Sequence, residues 1–318
     1  MTITMPVISK RFLILCLVMG VIFVPETISS HSARAADLLY VTLDNNTVVT
    51  YDVSFSSATA IATSAQVLAN TNMNVPTGVA LDGSGNLYVA NYGDNSVSKY
   101  NSSGQFQSAI TGNVNQPHGL AIDAAGALYV SNYGNSTISK FNSVGAFQSS
   151  LSNQIAGPDG LAFDSVGNLF VANYGNNTIA RFDASGNYLS TISGNLIQPS
   201  GLAFDTTGNL FAANYGGTTI SKFNSAGSFQ SSISGGLVQP IGVAFDMAGN
   251  LYATDFTSKS ISRFNAAGVF QFSWNTGSAP RYLVSPTSVP EPSSIIFGMV
   301  IVILFFGIRM RRKATSFV

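Results

Sequence analysis

The sequence predicts an all-β fold, a closed six-bladed β-propeller with four strands per blade, and three observations carry that expectation. Prolines recur at 76, 117, 158, 199 and 240, each forty-one residues after the one before. Short apolar runs alternate with turn-forming Gly, Asn, Asp and Ser clusters every eight to twelve residues, with no helical pattern between them. The two ends of the repeat region hold partial copies that complement each other. Four strands in a period of about 40 residues are the signature of a propeller blade.

One copy shows why each element forms. Gly119-Leu120-Ala121-Ile122-Asp123 is a brief apolar run, and Ala124-Ala125-Gly126 turns it back into Leu128-Tyr129-Val130-Ser131-Asn132. Tyr133-Gly134-Asn135-Ser136 turns again before Thr137-Ile138-Ser139-Lys140-Phe141, and Asn142-Ser143-Val144-Gly145 leads to Ala146 through Leu151. Apolar residues fall on both faces of the inner strands, as expected for sheets sandwiched between neighbours. The register repeats without insertion through Gly78, Gly119, Gly160, Gly201 and Gly242. It repeats again through Asp82, Asp123, Asp164, Asp205 and Asp246, and through Lys99, Lys140, Arg181, Lys222 and Arg263.

The ends decide between an open stack and a ring. Leu39 to Thr42 and Thr47 to Tyr51 match the second and third strands of a copy, but the position forty-one before Pro76 is Ala35, so the first blade lacks its first strand. Pro280-Arg281-Tyr282-Leu283-Val284 sits one residue early for a sixth first strand and lacks the glycine; it is read as the missing strand. Closure this way removes open sheet edges. The propeller is placed at 36–285, with the segment from Asp52 to Val75, eight residues longer than its counterparts, as a surface excursion of the first blade.

Composition narrows the function classes. The chain has 318 residues, 46% hydrophobic and 11% aromatic, enough for a large core. Only 9% are charged, with fourteen Lys+Arg against fourteen Asp+Glu, so there is no electrostatic footprint of a nucleic-acid binder. The one cysteine, Cys16, excludes a disulfide framework. At the N-terminus, Lys10-Arg11, a chargeless run from Phe12 to Val24 and a small-residue stretch ending in Ala35-Ala36 form the pattern of a secretory signal over 1–35. At the C-terminus, a 286–292 linker carries Pro290-Glu291-Pro292, followed over 293–318 by an apolar stretch and Arg309, Arg311, Arg312 and Lys313. That order predicts a transmembrane helix with a basic cytoplasmic end, in agreement with export of everything before it.

Two resemblances follow from these residues. The tail resembles the PEP-CTERM sorting signal of Gram-negative bacteria, which implies an exosortase-like processing enzyme as a partner, often in bacteria that make exopolysaccharide. The protein is then expected to be exported, anchored in the cell envelope or extracellular after tail processing. The recurring Pro-x-Gly-[Leu/Val]-Ala-[Phe/Ile]-Asp, Gly-Asn-Leu-[Tyr/Phe] and Ile-Ser-[Lys/Arg]-Phe segments resemble NHL-repeat six-bladed propellers. Propellers host enzymes, sensors and scaffolds, so function has to be argued from a site.

The sequence supplies little catalytic vocabulary. The exported part holds one histidine, His118, so a His-rich zinc site is not expected, and no Gly-x-Ser-x-Gly nucleophile elbow appears. No catalytic residue, metal ligand or cofactor is assigned. The residue after each repeat proline varies while its neighbours stay constant: Thr77, His118, Asp159, Ser200 and Ile241. These positions should line one mouth of the central channel, with His118 and Asp159 side by side as a polar or weak metal-binding pair, or as a solvated position that tolerates any residue. The Asp82 series is read as turn-stabilising carboxylates rather than calcium ligands, because Asp123 is followed by no side-chain oxygens. The ring of cations from Lys99 to Arg263 is read as pairing with blade aspartates between sheets; twelve Asp against seven Lys and Arg between Asp37 and Arg281 leave the domain at minus five. Tyr92, Tyr133, Tyr174 and Tyr215, in Asn-Tyr-Gly turns, are turn residues that could stack on sugar rings at one rim. The expectation is a binding or scaffold propeller for extracellular polysaccharide or protein. The alternative is a lyase-like enzyme working at the channel mouth through His118 and Asp159.

Overall fold

A computed structural model describes residues 38–53 and 66–286. Within them, six antiparallel sheets of four strands each are arranged as blades. Blade 2 runs through Pro76–Leu81, Leu87–Asn91, Ser96–Tyr100 and Phe106–Ile110, and blades 3 to 6 repeat it from Pro117, Pro158, Pro199 and Pro240. Blade 1 is built from both ends of the domain. Leu38–Leu43, Thr47–Asp52 and Gln66–Ala69 supply three strands, and Pro280–Val284 supplies the innermost one. The closing pairs are Tyr40 with Val284, Val41 with Leu283 and Leu43 with Pro280. The expected ring closure is therefore present.

The core consists of layers between neighbouring blades, and the strand period of two builds them. In blade 3, Leu128 and Val130 pack toward Tyr88, Ala90 and Val97 of blade 2. Tyr129, between them in sequence, packs toward Leu161, Leu169 and Val171 of blade 4. The last layer joins Leu39 and Val41 of blade 1 to Tyr252 and Ile261 of blade 6. Each large side chain so buried contributes about 1.5–3 kcal/mol of apolar transfer, so closing the ring adds a whole further layer to stability.

At the inner strands the blades nearly touch. A Cβ on Gly119 would lie closer than 3.0 Å to the Asp159 carbonyl oxygen of blade 4, and one on Gly160 would do the same to that of Ser200 in blade 5. The repeated glycine is thus required by backbone approach around the channel. The sixth inner strand breaks this rule. Its pairing aligns Pro280 with the repeat prolines and puts Tyr282 where the other five blades carry glycine.

The aspartate series stabilises turns. Asp123 accepts from the backbone N–H groups of Ala125 and Ala127, and Asp82 from those of Ser84 and Asn86. The cations pair with these aspartates, but within their own blade rather than between sheets. Lys99 meets Asp82 at 3.9 Å, Lys140 meets Asp123 at 3.7 Å, Arg181 meets Asp164 at 3.3 Å and Lys222 meets Asp205 at 3.8 Å. The reason is register: the cation on the third strand lies beside the turn that joins the first two. Arg263 differs, because its guanidinium donates to the Tyr252 hydroxyl, which in turn donates to Asp246. Residues 1–37, the 54–65 part of the first-blade excursion, and 287–318, with Pro290, Glu291 and Pro292, lie outside the described residues, as do the expected signal peptide and tail helix. Among the described residues no helix is long and apolar enough to cross a membrane.

Candidate functional site: an aromatic-rimmed cup closed by Tyr282

The inner strands start at one end of the channel, and the turns after the second strands lie beside them. Four of the five rim aromatics are fastened to the residue that precedes their own blade's inner strand. The Tyr92 N–H donates to the Val75 carbonyl, Tyr133 to Gln116, Tyr215 to Gln198 and Phe256 to Gln239. Three of those acceptors hold a positive φ just before proline: Val75 at 50°, Gln116 at 45° and Gln198 at 48°. For β-branched Val75 this conformation is costly, and strain of this kind persists where the surroundings impose it. The preceding Asn of each turn is a buried clamp. Asn132 accepts from the Asn115 N–H and donates to Thr137 and Ser139.

The result is an arc of rings from successive blades. Tyr92 meets the His118 imidazole edge-on at 5.3 Å, and His118 stacks on Tyr133 at 4.8 Å. Tyr133 and Tyr174 follow at 6.1 Å, Tyr174 and Tyr215 at 5.9 Å, and Tyr215 and Phe256 at 6.4 Å. Arg281, from the closing strand, ends the arc with its guanidinium 5.4 Å from the Phe256 ring centre. These side chains, with Val75, Thr77, Asp159, Ile241 and Tyr282, line a cavity of about 270 Å³.

The floor is a buried polar network. His118 Nδ1 lies 3.1 Å from Asp159 Oδ1, and the Ser200 hydroxyl donates to Asp159 Oδ2 at 2.8 Å. Tyr282 donates its hydroxyl to Asp159 as well, and that hydroxyl lies 2.9 Å from Ser200 Oγ. Tyr282 thus crosses from blade 1 to blades 4 and 5 and closes the channel beneath the cup. Burial alone would raise the Asp159 pKa, but the His118 charge and the hydrogen bonds from His118, Tyr282 and Ser200 outweigh it and hold it below its ordinary 3.8. Burial, then the neighbouring Asp159 charge, pushes the Tyr282 phenol well above its ordinary 10.0. An ionised Asp159 only accepts, so His118 carries a hydrogen on Nδ1 and donates it to Asp159.

The proline-adjacent series is therefore split by the structure. His118 and Asp159 are brought together and border the cup. Ser200 is buried below it, and the Thr77 hydroxyl is spent on the Pro117 carbonyl across the blade boundary. The reading of a solvated position tolerant of any residue does not describe Thr77, Asp159 or Ser200, which are all buried. Ser200 is no nucleophile on this geometry: Asp159 sits between it and His118, whereas a catalytic serine needs the histidine. Among the described residues no group of three His, Cys, Asp or Glu side chains could hold a metal ion. Three contributors were not singled out from sequence. Phe256 sat in the divergent Asp255-Phe256-Thr257 turn, and Arg281 and Tyr282 were read only as strand. The missing glycine at the sixth inner strand was the available signal.

Fold and site define a six-bladed β-propeller with a blind, aromatic-rimmed mouth. Residues 114–141 match the NHL repeat, spanning the first three strands of blade 3. No curated protein matches the sequence. Among solved structures, the chain is similar to a propeller in the nidogen/laminin complex, at 19% identity and a TM-score of 0.68, over 78% of this chain and 97% of that one. It is also similar to streptogramin B lyase, at 15% identity and TM-score 0.56, over 81% of this chain and 76% of that one. Virginiamycin B lyase from Staphylococcus aureus matches at 14% and 0.58, over 78% and 88%. Identities this low establish the shared fold alone.

Proposed function

We propose that the protein is an exported binding propeller of the cell envelope, sorted by its PEP-CTERM-like tail, that recognises extracellular polysaccharide through its aromatic mouth. The observation that carries this reading is the arc of Tyr92, Tyr133, Tyr174, Tyr215 and Phe256 over a cup whose floor polar groups are already bonded to one another. Tyrosines offer apolar faces to sugar C–H groups and hydroxyls to sugar oxygens. The similarity to a propeller in the nidogen/laminin complex keeps a protein ligand as the other form of the same role. A glycan array probed with the wild type and with Tyr133→Ala plus Tyr174→Ala tests it: binding present in the first and lost in the second supports the reading, and an unreactive wild type overturns it. Mass spectrometry of the mature protein from its host tests the sorting, by cleavage near Ala35 and at the Pro290-Glu291-Pro292 tail.

A second reading, a lyase-like enzyme, is favoured by one feature, the His118 imidazole oriented by Asp159 through Nδ1. It requires turnover that His118→Ala abolishes; turnover unchanged in that variant removes it.

A further inference from the structure

We infer that the cup takes a single terminal sugar residue bearing a carboxylate, with Arg281 as the group that binds the acid. This deepens the reading above and rests on it.

Four observations converge. Tyr282 spans the channel to Asp159 and Ser200, so a polymer cannot thread through and only an end can enter. The cavity of about 270 Å³ lies at the small end of ligand pockets, roughly 300–1,000 Å³, which fits a monosaccharide unit. Five of its twelve lining residues are tyrosines, suited to a ligand with C–H faces and many hydroxyls. Finally, Arg281 lines the cup, and its guanidinium forms no ion pair among the described residues.

A cation at the wall of a cup with no counter-charge favours an anionic ligand, and the terminal N–H groups of a guanidinium can hold a carboxylate through two parallel N–H···O bonds. The negative charge nearest by composition does not serve: Asp159 is saturated by His118, Tyr282 and Ser200. The cation–π contact with Phe256 restrains the Arg281 side chain, which lowers the ordering cost on binding. Toward the other end of the arc, His118 Nε2 is the ring nitrogen that Asp159 does not engage, and a sugar hydroxyl can pair with it as donor or acceptor. The ligand chemistry is therefore acid at Arg281, ring face on the tyrosines and hydroxyl at His118.

The test titrates the full-length protein calorimetrically with glucuronic acid and with glucose, for the wild type and Arg281→Gln. Thermal melting confirms that the variant is folded. Glucuronic acid binding at least about tenfold tighter than glucose, with that preference lost in Arg281→Gln, is the expected result. Equal affinities, or a preference that survives in the variant, overturn the carboxylate inference and leave the sugar reading standing. Binding of neither sugar, nor of oligosaccharides, overturns both. A trisaccharide with the uronate at its end should compete with free glucuronic acid, and one with it in the middle should not; equal competition overturns the closed-cup argument.

Discussion

Tyr282, on the last strand of the ring, donates its hydroxyl to Asp159 on the blade facing it across the channel, 123 residues away in sequence. Tyr282 stands where the other blades carry glycine, and five small residues leave the room that one large one fills. The bond joins ring closure to the site: the strand that completes blade 1 also floors the cup and ends its aromatic arc at Arg281.

Removing that hydroxyl should be measurable. Tyr282→Phe keeps the ring in the channel but deprives Asp159 of a donor in a buried site. The expected loss is about 1–3 kcal/mol in urea unfolding, with the slope unchanged. A loss under about 0.5 kcal/mol, within the range of ordinary surface substitutions, would contradict the assigned geometry.

The acid limb of stability should depend on Asp159. Its pKa is lowered in the folded protein, so the unfolded chain binds the proton more readily. That contribution is complete above the ordinary 3.8 and disappears as pH falls below it through the folded value. Asp159→Asn should therefore be less stable at pH 7 and show a flatter decline below pH 4; parallel acid limbs would refute the assignment. Tyr282 works in the opposite direction. Its raised pKa adds stability that is present below 10.0 and lost as pH climbs above it, so Tyr282→Phe should soften the alkaline limb.

Blade approach makes Gly160 intolerant. Gly160→Ala sets a Cβ against the Ser200 carbonyl and the Gly201 Cα, both backbone, and relief requires moving a blade. The expected cost is about 3 kcal/mol or more, or failure to fold. Gly83→Ala, which meets nothing within 4 Å, is the control and should melt like the wild type. Similar melting of both variants would mean that the blades are not so closely set.

The in-blade ion pairs should matter little to stability or to ligand binding. Lys140 and Asp123 are 28% and 19% exposed, and such pairs contribute under about 1 kcal/mol. Register also places them by the turns at the end of the blades opposite the tyrosines. Lys140→Met should leave glycan binding as in the wild type; loss of binding would point to the cation ring instead of the aromatic mouth.

The amino-acid order alone makes legible the repeat, the number of blades, the strand that closes the ring and the turn chemistry of the aspartates. Each of these is a local pattern copied five times, or arithmetic on where the copies begin and end. It also named His118, Asp159 and the four rim tyrosines by their shared place in the repeat. What those positions do follows from how the blades pack against one another. Whether a proline-adjacent side chain faces the cup, as His118 does, or is buried like Ser200 depends on blades that meet around a common axis. The closure by Tyr282 and the unmatched Arg281 arise from contacts between the two ends of the domain. A missing glycine marks such a place in the sequence, but the packing of the opposite blades decides which side chain fills it.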